Sequence, residues 1–254
     1  VGIRMIRNLI HDAPHAAILL TGNDHVVKLN EVHDVCRETR DVGALYLGRD
    51  WTMRGNVIRH NYFHDIAASA ERSSMAVYLD DAASGFTVDG NIFYRVQYAV
   101  FLGGGRDNRI ENNVFAECKL AVHVDARGIG WMKDEVETTL KPRLNAMPYQ
   151  QPPWSRRYPS LVTILSDEPG LPKGNVVTRN ISVGGTWADI EKAALALVKV
   201  SDNLVEVNPR FADAAKPDFR LKPDSPAYRL GFKPIPIDKI GIYRDEYRSG
   251  VPTK

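Results

Sequence analysis

Cysteine is scarce: the 254 residues contain two, Cys36 and Cys118. That count excludes a disulfide framework, and two buried thiols are expected. An excess of one charge is lacking as well, since the net charge is +2. No strong field points to nucleic acid or to a membrane surface as partner. No apolar run approaches the roughly 20 residues of a membrane helix. There is no initiating Met and no signal-like segment, and the opening VGIRMIRNLI reads as the middle of a repeat. The chain is therefore expected to be a piece of a longer protein that carries further coils or a domain ahead of it.

What the sequence does have is a period. Asn8, Asn30, Asn61, Asn91, Asn113, Asn180 and Asn208 recur at spacings of 22, 31, 30, 22, 67 and 28. Three residues before each stands an aliphatic residue or Met: Met5, Val27, Ile58, Val88, Ile110, Val177 and Val205. Two residues after the first five come Ile10, Val32, Phe63, Phe93 and Phe115. A unit of this length cannot hold a helical pair, and its apolar positions do not follow a 3.6-residue period. It can hold short strands joined by turns, which is one coil of a parallel β-helix. The predicted fold is all-β, a solenoid forming a single domain over 1–254. The asparagines are expected to bond the same residue one coil along, a structural rather than catalytic role.

The period stretches where insertions sit. Val35–Val42 and Ala67–Ser74 lengthen one corner of two neighbouring coils, and about 128–173 forms a third excursion. Its prolines, with Trp154 and Tyr158, suggest a rigid, lid-like loop after a short helix. The Ala-rich 186–198 reads as a helix or a decorated coil, and 209–254 as a closing segment over the last coil. Insertions grouped on one side of a repeat protein mark a binding face.

Three near-copies of one strand lie on that side: Ala76–Asp80, Ala99–Gly103 and Ala121–Asp125. Alternation turns their second and fourth residues inward and their third and fifth outward. Stacked, they build a wall of Tyr46, Tyr78, Phe101 and His123, with Asp80 and Asp125 two coils apart and Gly103 between them. Aromatic faces suit the apolar faces of sugar rings. The two backbones fall about 9–10 Å apart at the strand spacing. That separation suits the carboxyl pair of an inverting glycosidase, with the attacking water over Gly103. Asp80, Asp81 and Asp125 are the catalytic candidates. Tyr46, Arg49, Tyr78, Phe101, Arg106, His123 and Arg127 are candidates for substrate binding, with Glu38, Asp41 and Glu71 from the loops. His11, His33 and His64 repeat three residues after their asparagines. They form a stack rather than a convergent set, so neither a metal nor a cofactor is expected.

The run GALYLGRDW, RGNVIRHNYFHDI, VYLDDAASGFTVDGNIFYRV and VFLGGGRDNRIENNVF resembles the right-handed parallel β-helix proteins of carbohydrate metabolism. Within that set it is similar to family 141-like glycoside hydrolases, which include fucosidases and xylanases. The resemblance implies a right-handed coil, a carbohydrate partner, and an extracellular or periplasmic parent protein. It implies a pair of Asp on neighbouring coils as catalysts, for which Asp80 or Asp81 and Asp125 are the matching positions. Glycoside hydrolysis is the first expectation. Alternatives are β-elimination by a polysaccharide lyase and a non-catalytic carbohydrate-binding β-helix, because one fold hosts several chemistries.

Overall fold

A computed structural model describes residues 1–66, 73–213, 218–243, 245–248 and 250. Among these, three parallel sheets of seven, seven and six strands run the length of the molecule. Each of the first six coils contributes one strand to each sheet, the last adds to the first two, and the repeat fixes the register. Met5, Val27, Ile58, Val88, Ile110, Val177 and Val200 stack in the first sheet. Ile10, Val32, Phe63, Phe93, Phe115, Ser182 and Val205 stack in the second. In the third sheet, Ile18, Leu45, Val77, Val100, Val122 and Ala188 form the inward row. Ile18 takes the place that spacing alone gives to Ala17, so the first coil is one residue longer before its third strand. From Met5 to Val177, Ile10 to Phe115 and Ile18 to Val122 these rows make one continuous core. Phe63, Phe93 and Phe115 lie nearly parallel inside it, their ring centroids 5.4 and 5.1 Å apart.

The asparagine row forms as expected over most of its length. Asn30 donates its side-chain amide to Oδ1 of Asn61, Asn61 to Asn91, Asn91 to Asn113 and Asn113 to Asn180, each at 2.9–3.0 Å. Each Oδ1 also accepts the backbone N–H of the preceding Asn. The last member is Asn203 and not Asn208, because Asn203 receives the amide of Asn180. A second row escaped the spacing argument. Asn56, Asn108 and Asn175 accept the backbone N–H groups of His25, Phe86 and Asn108 at another corner. His11, His33 and His64 stack 5.1 and 4.7 Å apart. Each Nδ1 lies 2.6–2.7 Å from the carboxylate of the following Asp.

The excursion after the fifth coil is a packed body of short helices rather than a loop. Lys133–Glu135, Val136–Leu140, Lys141–Asn145, Trp154–Arg157 and Pro159–Val162 are its helical turns. Met132, Val136, Leu140, Leu144, Leu161 and Ile164 bury themselves together against Trp51, which belongs to the solenoid. Polar anchors add to this. Ser160 and Asp167 bind Arg54 and Arg106, and Arg157 and Tyr158 bind Asp24. The Ala-rich stretch contains no helix; it adds strands Thr186–Ile190 and Val198–Ser201 to the coil. The closing segment does not stop at the last coil. Phe219, Ala227, Phe232 and Ile240 pack on the outer face of the second sheet, against Ile92, Val114 and Ile181. The N–H of Gly241 reaches the carbonyl of Leu29 in the second coil at 2.9 Å. No helix among the described residues is long and apolar enough to cross a membrane.

Candidate active site

The outward row of the third sheet is aligned as its alternation requires. Tyr46, Tyr78, Phe101, His123 and Asp189 are direct neighbours in successive strands. They do not form an open stacking platform. Tyr46, Tyr78 and Phe101 meet edge to face, and Tyr78 is 4% exposed. Phe101 and His123 are stacked at 4.0 Å. The lengthened corners come together beside them, where the N–H of Asp41 donates to the carbonyl of Ser73 at 2.8 Å. The Tyr78 hydroxyl donates to Asp41 at 3.2 Å.

Arg127 organises the acids. It follows the fifth third-sheet strand and folds back across Gly103, where a Cβ would come within 2.5 Å of its guanidinium carbon. Only glycine leaves that space. Nη1 donates to Asp80 at 2.5 Å and to Asp81 at 2.9 Å, while Nη2 donates to Asp125 at 2.7 Å. Phe101 and Trp131 flank the guanidinium at 5.5 and 5.4 Å. Tyr46 donates its hydroxyl to Asp80 at 2.9 Å. Arg49 donates Nε to Asp81 at 2.7 Å with half of its side chain in solvent. The turn itself is tense, with φ of 31° at Asp81 and 64° at Ala82. Neighbouring coils hold it through Ala82 N–H to Gly103 and Arg49 N–H to Asp81.

The titrations diverge. Burial raises the Asp80 carboxyl above its ordinary value, and the Asp81 charge adds to this. Burial pushes Asp125 the same way, but hydrogen bonds from His123 and Arg127 outweigh it and hold Asp125 below the usual carboxylate value. Tyr46 and Tyr78 are both raised, by burial first and then by the Asp80 charge, and stay protonated at neutral pH. Burial opposes the Arg127 charge, yet its bonds to Asp125 and Asp81 hold the group protonated.

These residues surround a cavity of about 350 Å³. Asp41, Arg49, Tyr78, Asp80, Asp81 and Phe101 line it, together with Arg127. Tyr46 is tied to it through Asp80. Asp125 does not face it, because the Arg127 guanidinium stands between. The expected water over Gly103 is therefore replaced by a cation, and the two acids do not share one open gap. His123 lies outside the cavity wall, between Asp189 at 3.0 Å from its Nδ1 and Asp125 at 3.5 Å from its Nε2. Arg106 is buried and bound to Asp167 of the excursion. Glu38 is exposed and outside the cavity wall, and Glu71 lies outside the described residues.

Tyr98 and Trp131 also line the cavity. Neither was legible by alternation. Tyr98 has the parity of inward Val100, but the pairing skips Ala99 and its ring lies 6.1 Å from Phe101. Trp131 comes from the excursion, which has no repeat to place it.

Residues 2–138 match the family model described as the right handed beta helix region, and the chain belongs to that family. The comparisons support this part of the resemblance and not its finer glycoside-hydrolase part. No curated protein matches the sequence. Among solved structures, a PL6 family polysaccharide lyase from Pseudopedobacter saltans is similar at 14% identity and a TM-score of 0.29. The match covers 94% of this chain and 76% of that one. Similarity at that level does not bear on the chemistry of the cavity.

Proposed function

We propose that the cavity on the third sheet cleaves a uronate-containing polysaccharide by β-elimination. One observation carries the reading: Arg127 fills the gap between Asp80 and Asp125, leaving Asp80 and the half-exposed Arg49 to face the cavity. Asp80 has the raised pKa that improves a carboxylate as a base. It takes the proton α to the uronate carboxylate. The negative charge that develops spreads onto that carboxylate, where Arg49 stabilises it. The electron pair then expels the glycosidic oxygen, and Tyr78, held protonated, supplies its proton. Arg127 touches three carboxylates and so positions Asp80, while Asp81 and Asp125 position Arg127.

Hydrolysis stays as a second reading, because Asp80 and Asp125 are displaced in opposite directions, as an acid and a base would be. Incubation with alginate, polygalacturonate and xylan separates the two. Elimination gives products with the ultraviolet absorbance of an unsaturated uronate, and Asp80→Asn lowers the rate by about 10²–10⁴-fold. New reducing ends without that absorbance, lost equally in Asp80→Asn and Asp125→Asn, establish hydrolysis instead. Binding without any product leaves a carbohydrate-binding module.

A further inference from the structure

Trp131 is an anomaly within its segment. Its neighbour Met132 is wholly buried, and Val136, Leu140 and Leu144 follow it into the excursion's core. Trp131 itself is 68% exposed. The exposure does not come from a loose backbone. Ile129 N–H donates to Ala126, and Gly130 and Met132 N–H both donate to Arg127, each at 3.0 Å. The ring is thus held out on a pinned turn, at the cost of leaving a large apolar surface in water. It lines the cavity that holds Asp80.

On the far side of the same turn lies a second cleft of about 510 Å³, lined by apolar Ile129, Val136 and Leu171 and by the charged Lys133, Asp134, Glu137 and Glu168. Arg127 opens on the first hollow and Gly128 on the second, so the turn is a ridge between them. We infer that Trp131 is the stacking platform for the sugar unit next to the one cleaved, and that the glycan chain crosses this ridge into the second cleft. The occupant follows from continuity: a polymer seated over Asp80 must leave the cavity, and an exposed indole face is the surface a pyranose ring stacks on. The inference rests on the reading of the cavity as a glycan site. It makes the protein a reader of chain length, selective for oligosaccharides long enough to reach past Trp131.

The test uses di-, tetra- and hexasaccharides of alginate, polygalacturonate and xylan with the full chain. Of the four tryptophans, Trp51 is buried and Trp154 and Trp187 are half-buried, so quenching by acrylamide reports chiefly on Trp131. Tetra- and hexasaccharides are expected to shield it, and disaccharides to bind without shielding it. Trp131→Ala should weaken the tetra- and hexasaccharides about ten-fold more than it weakens the disaccharide. Trp131→Phe should restore most of the loss, and the melting temperature should not move. Asp80→Asn should lose turnover but keep the shielding. Length dependence that survives in Trp131→Ala overturns the platform while leaving the cavity reading intact. If the parent protein binds none of these glycans, the cavity reading falls and the platform with it.

Discussion

Arg127 shows how much one side chain can change the meaning of a face. Alternation along the strands put Gly103 beside Asp125 and Tyr78 beside Phe101, as the register has them, because period and register are local properties. It said nothing about Arg127, whose direction depends on a turn beyond the strand. Replacing Gly103 by Ala should displace the guanidinium from between the acids and abolish turnover; unchanged activity in Gly103→Ala would refute the role given to Arg127. Arg127→Met should cost about 3–5 kcal/mol in urea unfolding, since it strands three carboxylates that are nearly or fully out of water.

The same cluster gives a signed pH dependence. Asp125 is depressed, so its stabilising contribution is present above the unfolded value near about 3.9 and is lost as pH falls through the folded value. Asp80 is raised, so its contribution is present below the unfolded value and is lost as pH rises through the folded one. The stability gap between the parent and Asp125→Asn should therefore shrink on acidification below about pH 4. Against Asp80→Asn, the parent should lose ground as pH rises from about 4 toward neutrality. Gaps that ignore pH in both comparisons would remove the assignment.

At the level of elements, the coil was readable because each one repeats the same solution. Met5 through Val177 and Ile10 through Phe115 were all placed by spacing, and their pairing follows it residue for residue. The readable part ends where the repeat ends. Asn203 was passed over for Asn208 although Val200 and Val205 flank it as the pattern requires, because Asn208 also has a valine three residues before it. The row of Asn56, Asn108 and Asn175 went unseen because it stands at another offset, two residues before Ile58, Ile110 and Val177. The principal row makes a sharp prediction. In Asn91→Ala, Asn61 loses the acceptor of both its backbone and side-chain N–H groups, wholly out of water. A loss of about 2–4 kcal/mol is expected in denaturant unfolding. An equal substitution at exposed Asn208 should cost less than about 0.5 kcal/mol.

For the molecule as a whole, a solenoid couples each coil chiefly to its two neighbours. Two pieces break that rule. The closing segment runs from beyond the last coil back to Leu29, and the excursion ties Asp24, Arg54 and Arg106 to one body. Proline content suggested a rigid segment, but it could not reveal that Trp51 would serve as its socket. Trp51→Ala should release the excursion at about 3–5 kcal/mol and expose 128–173 to proteases before the coils unfold. Simultaneous digestion of both would show that the two are one cooperative unit.

The amide of Asn203 has a different consequence. Every earlier member of the row hands a hydrogen onward to the next coil, so the row has a direction, like iron filings laid end to end. Asn203 instead gives its two hydrogens to the carbonyls of Val177 and Ser201. The series is thereby earthed in its own turn and the coil before it, and a stray chain that arrived at that spot would find no dangling side-chain amide to crystallise upon.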